Sequence, residues 1–181
     1  MNAKNSVNIL ERWGKQSKER VKKCHFLVDR KDELIKKGFI IEGFLSEISL
    51  IESTLLNVIK THIEIEKRLL EDCGIFKSNS IVKNLKKKTL GSLIKIFKEG
   101  FYDNSVSYQT EDSDRGDLIV ELDRFVSLRN KVIHSLFDED INKLEKEIHI
   151  NSDKNHGLAI SLHVYELSIS RNFFHRVEKK K

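Results

Sequence analysis

There is no proline among the 181 residues of this chain, and no other feature limits its fold as much. Proline breaks a helix because it lacks an N–H and its ring clashes with the preceding turn. Without it helices can run long, and only capping residues and glycines mark their ends. Residues 40 to 72 use that freedom most plainly. Ile41, Phe44, Ile48, Ile51, Leu55, Val58, His62, Ile65 and Leu69 alternate at three- and four-residue spacing, one apolar helix face closed by Gly74. His62 occupies a seam position and is expected to be a core histidine.

The rest of the chain divides by the same logic. Residues 5 to 37 form an amphipathic helix or helix pair carrying Ile9, Leu10, Trp13, Val21, Phe26, Leu27, Leu34 and Ile35, ended by Gly38. Its many Lys and Arg residues are expected to be a solvated face. Thr89 can cap a short helix through Leu90, Leu93, Ile94, Ile96 and Phe97 that stops at Gly100. Residues 101 to 114 lack periodicity and are expected to be a polar loop. A helix over about 115 to 137 follows, then a charged segment with Leu144 and Ile148. A polar turn is predicted at Asn151 to Gly157, and a last helix from Leu158 to about Val177 carries Leu162, Tyr165, Ile169 and Phe173 on one face. The fold class is all-α, an up-and-down bundle of about five or six helices.

At 181 residues and 39% hydrophobic content the chain is one domain with ample core. Cys24 and Cys73 match no metal spacing and make a poor disulfide framework, so both are expected to be reduced thiols. Met1 to Trp13 has no apolar core of signal-peptide type, and no run approaches a membrane span; the expected location is the cytoplasm. A net charge of +5 permits an RNA partner. However, 24 Lys against 9 Arg, with only 2 Ala, points to compositional drift as much as to phosphate binding. No glycine-rich phosphate loop, zinc spacing, serine elbow or repeat is present. Asp138, Glu139 and Asp140 fit a solvated turn better than a Mg²⁺ site. No cofactor and no metal are expected.

The stretch with most chemistry is Arg129-Asn130-Lys131-Val132-Ile133-His134. Imidazole can move the 2′-OH proton of RNA and guanidinium can hold a phosphate oxygen, which is the minimum for cleaving RNA without metal. The spacing alone is weak, since chance supplies roughly one such match in a chain of this composition. Arg20 to His25 repeats it, and Arg171-Asn172 to His175 falls one residue short. The setting says more. At about 100° per residue, Leu118, Leu122, Phe125, Val126, Val132, Ile133 and Leu136 all lie within roughly 60° of Arg129. A guanidinium in the middle of an apolar face is costly unless it is paired or lines an interface or cleft. His134 lies about 140° away round the same helix, flanked by Asn130, Asp123 and Ser127. Either the helix distorts near the motif, or a second copy of the chain completes the site. Asn130, four residues before His134, could fix its ring orientation and tautomer.

Motif and setting together resemble the HEPN superfamily, the higher eukaryotes and prokaryotes nucleotide-binding domains. In its ribonuclease branch, Arg, four to six intervening residues and His mark the site, often with Asn straight after the Arg. The resemblance covers residues 39 to 178 and leaves residues 1 to 38 as an N-terminal helical extension packed on the same domain. It implies a metal-independent endoribonuclease acting as a homodimer, with Arg129 and His134 catalytic and Asn130 supporting. Such domains commonly serve as toxins or abortive-infection effectors against phage, with an antitoxin or defence-system protein as partner. Thr89-Leu90-Gly91 also looks like a turn seen ahead of the motif helix in some HEPN-like sequences. The chain departs from the toxin branch partnered by a nucleotidyltransferase antitoxin, which usually has Tyr two residues after the His, where this sequence has Leu136. A non-catalytic HEPN-like helical dimerisation module binding a protein or nucleotide is the alternative, with Arg129 as a core ion-pair partner.

Overall fold

The computed structural model describes residues 3–72, 85–102, 117–136 and 140–178, with side chains left aside at 3–14, 16, 17, 68–72, 86 and 174–178. It is all-α: α1 spans Ala3–Lys36, α2 Ile40–Asp72, α3 Leu90–Gly100, α4 Leu118–Ser135 and α5 Ile141–Glu178, with a 3₁₀ turn at Leu85–Lys87 before α3. No strand occurs among the described residues. Residues 103–114 of the predicted polar loop lie outside the described residues, as do Arg115, Gly116, Cys73, Gly74 and Phe137 to Glu139.

The chain falls into two compact units, Met1–Leu50 and Ile51–Lys181. Their boundary lies inside the continuous helix α2 rather than at Gly38. In the first unit, α1 ends because Gly38 adopts a φ of 83°, which only glycine reaches without strain. The Phe39 N–H then donates to the Leu34 carbonyl at 2.9 Å and the Gly38 N–H to that of Ile35 at 3.0 Å, closing the helix end. Beyond the turn, Gly43 of α2 lies against α1; a Cβ there would come within 2.8 Å of Ile35 Cγ1. Lys31 and Glu47, both buried, pair across the same two helices at 3.8 Å. Lys37 and Arg30 hold the exposed Glu33 carboxyl below its ordinary range, mainly through the Lys37 hydrogen bond.

In the second unit, α4 packs on α3 and α5. Thr89 caps α3 as the sequence predicts, its hydroxyl accepting from the Ser92 N–H, and Asp117 caps α4 by accepting from the Ile119 N–H at 2.8 Å. Phe97, Leu122, Phe125, Leu144, Leu162 and Tyr165 are fully buried, each stabilising the fold by about 1.5–3 kcal/mol. Tyr165 stands edge-on to Phe97 at 5.5 Å and donates to the Phe101 carbonyl at 3.1 Å. His62 is half-buried against Phe101 and Tyr165, with ring centroids 5.6 and 5.8 Å away, so its seam position is a packing position. Thr61 donates to the buried Glu166 at 2.8 Å, tying the second half of α2 to α5.

One prediction fails. The polar turn at Asn151 to Gly157 does not exist: α5 is a single helix of 38 residues running through it. Its buried stripe keeps helical step across the polar stretch, through Leu144, Ile148, Asn155, Leu158, Leu162, Tyr165, Ile169 and Phe173. Asn155 is a member of the core, held there by a hydrogen bond from another helix.

Candidate functional site

α4 presents two apolar flanks of different burial. Leu118, Leu122, Phe125, Leu128 and Val132 are buried. Ile119, Val126 and Ile133, seven residues apart, are only half-buried, as is Leu136 just past the helix end. Arg129 lies on the line between the two rows. It is itself half-buried, so the apolar face inferred from spacing is real but only one side of it is covered.

The Arg129 guanidinium is bound lightly. Its Nη1 donates to Asn130 Oδ1 at 2.8 Å, and its buried Nε has no hydrogen-bond partner. Among the described residues no carboxylate pairs with it. One of its five N–H donors is therefore engaged, and that one by a neutral amide. A cation stripped of part of its water without a counter-charge bears a desolvation cost that this one neutral bond offsets only in part.

Arg124, which spacing and composition did not single out, shows the opposite state. Its Nε donates to Glu121 at 2.7 Å, Nη1 to Asn151 at 3.0 Å and Nη2 to Asn155 at 3.0 Å. That guanidinium is the structural arginine of α4, locking it to α5. Its partners lie 27 and 31 residues away, so no local pattern reveals them; only Glu121, one turn earlier, gives a sequence signal.

His134 sits in the last turn of α4 and is exposed. α4 is regular α-helix from Leu118 to Ser135. The local distortion that would bring Arg129 and His134 together is therefore absent, and within one chain they face different directions. Asn130 turns its amide oxygen to Arg129 rather than bonding His134, so its observed role is to hold the arginine. Nearby, Lys131 pairs with Glu147 of α5 and Lys98 of α3 with Asp123. Both leave Arg129 untouched.

The other occurrences of the motif are differently placed. His25 and Arg171 are exposed, Arg20 is half-buried in α1, and the side chain of His175 lies outside the described residues. Asp140 is exposed and accepts from the Asn142 N–H at the start of α5, a capping role. No group of three His, Cys, Asp or Glu residues suited to a metal ion occurs among the described residues. Likewise, none of their helices is long and apolar enough to cross a membrane. No family model, curated protein or solved structure matches this chain.

Proposed function

We propose that the chain is a metal-independent endoribonuclease of HEPN type, acting as a homodimer whose two α4 helices line one cleft. The carrying observation is the half-buried guanidinium of Arg129, unpaired with any carboxylate among the described residues and steadied by Asn130. A core ion-pair role for Arg129, which the non-catalytic alternative requires, finds no partner there. The divergence of Arg129 and His134 round a regular helix supports a site built from two copies. The half-buried row Ile119, Val126 and Ile133 gives α4 an apolar flank on which a second copy could seat.

In such a cleft His134 removes the 2′-OH proton, the 2′-oxygen attacks phosphorus, and the 5′-oxygen leaves with a proton from His134 of the partner subunit. The products are a 2′,3′-cyclic phosphate and a 5′-hydroxyl. Arg129 holds the non-bridging oxygens as charge builds on them in the transition state. We assign the protein, on the same resemblance, to the cytoplasmic toxins or antiphage effectors, with an antitoxin or defence-system protein as partner.

The test is cleavage of RNA by purified protein in EDTA. Activity should persist, vanish with 2′-O-methyl at the scissile nucleotide, and vanish in Arg129→Ala and His134→Ala. Strict Mg²⁺ dependence, or cleavage of DNA, removes His134 from this role.

A further inference from the structure

The positive charge of this protein is concentrated. Residues 15 to 26 contain five Lys and Arg against one carboxylate, a net +4, and are one of two basic stretches; the other, residues 73 to 98, holds seven Lys and no carboxylate. Residues 117 to 140, which include the Arg129 motif, hold six carboxylates against three cations. The motif helix itself, Leu118–Ser135, holds three cations against two carboxylates, a net +1, with the acids gathered at its two ends, whereas residues 15 to 26 of α1 carry +4 and attract a polyanion more strongly.

The geometry of α1 sharpens this. Lys15, Lys18 and Lys22 are exposed, and together with Phe26 they fall in an arc of about 80° along about 17 Å of helix, with exposed Lys23 about 60° to one side. Among the described residues none of these four lysines has a carboxylate within ion-pair distance. Glu19 lies about 20° outside the arc, and the exposed Asp29 and Glu33 continue the arc past Phe26 with acidic charge. Phe26 is 66% exposed, one turn beyond Lys22 and Lys23. Burial does not explain a phenyl ring there. It is the one large apolar side chain exposed on the described part of α1, too little for insertion into lipid, where an extended apolar face is needed. An isolated ring among ammonium groups suits a nucleic-acid base stacked on the ring with phosphates on the lysines.

We propose that this face of α1 is a docking surface for single-stranded RNA, recruiting it without reading sequence. The inference extends the ribonuclease reading but is tested with RNA that the ribonuclease site cannot cut. The probe is a fluorescein-labelled oligouridine of about 15 nucleotides, 2′-O-methylated throughout, titrated with the full chain and followed by anisotropy across a salt series.

Wild type should bind with a steep salt dependence. Lys18→Glu/Lys22→Glu should weaken binding about tenfold or more and flatten the logarithmic salt slope by about 1.4, since each phosphate contact on a single strand contributes about 0.7. Lys18→Gln/Lys22→Gln should lie between. Phe26→Ala should weaken binding about tenfold with the slope unchanged, because stacking releases no counterions. All three positions are exposed, so circular dichroism should not change. Equal affinity of these variants and wild type overturns the proposal. So does wild type that ignores the RNA while co-sedimenting with phosphatidylserine vesicles. If Arg129→Ala abolishes cleavage yet binds this probe normally, both readings stand; if the α1 variants bind normally while Arg129→Ala loses cleavage, only the docking surface falls.

Discussion

Two arginines five residues apart on α4 should respond very unequally to replacement by methionine. Arg124 makes three hydrogen bonds, and one partner, Asn155, is 0% exposed. The pair with Glu121 is partly solvated and contributes about 0.3–0.5 kcal/mol. The bond to Asn151 adds about 1 kcal/mol, and depriving the buried Asn155 Oδ1 of its guanidinium donor costs a further 1–3 kcal/mol or so. Arg124→Met should therefore destabilise by about 3 kcal/mol, lowering Tm by about 6–12 °C at this chain length. Arg124→Met/Asn155→Leu should recover part of that loss, because removing both partners of a buried bond is far cheaper than removing one. Arg129 has one bond to an adjacent amide and an unpartnered buried Nε. Methionine there loses about 0.5 kcal/mol of hydrogen bonding and relieves a partly desolvated charge. The net change should stay within about 1 kcal/mol, a Tm shift under about 4 °C. Urea and thermal denaturation, followed by circular dichroism on both variants, decide the matter. Equal destabilisation by the two substitutions would refute the distinction, make Arg129 a structural residue and remove the support for the ribonuclease reading.

Two further outcomes follow from the geometry. If Arg129 and His134 of two chains share a cleft, light scattering should show a dimer at micromolar concentration, and co-refolding wild type with rising amounts of His134→Ala should drive activity toward the square of the wild-type fraction; a monomer, or a linear fall, contradicts a shared site. Gly157 lies inside α5 with nothing within 4 Å of a Cβ added there, so Gly157→Ala should stabilise by about 0.5–1 kcal/mol, and a loss of stability would show that the helix is not continuous at that point.

The helices that depend on their own side chains were legible in the sequence. α2 announces itself through its three- and four-residue seam, α1 ends at the glycine expected to end it, and Thr89 caps α3. α5 was misread because Asn151, Asn155 and Gly157 are turn formers when judged locally. What keeps the segment helical is tertiary: the two asparagines lie four apart and both accept from Arg124. The unbroken stripe from Leu144 to Phe173 was the available signal, visible only if an asparagine is allowed into an apolar seam. At the motif, the location of Arg129 on an apolar face followed from spacing. Its bond to Asn130, and the exposure of His134, depend on side-chain placement that no periodicity encodes.

The continuity of α5 also fixes where this chain can change length. Leu144, Ile148 and Asn155, which face one end of the core, and Tyr165, Glu166 and Phe173, which face the other, ride on a single rod. One inserted residue near Asn151 would rotate everything after it by about 100°, swinging Glu166 away from Thr61 and Tyr165 out of its aromatic cluster. A true turn at that place would have absorbed such an insertion locally. Seven residues, about two full turns, would restore the phase while moving the two ends of the core about 10 Å further apart. Single-residue insertions and deletions should thus be excluded from Ile141–Glu178 and confined to the connections between helices.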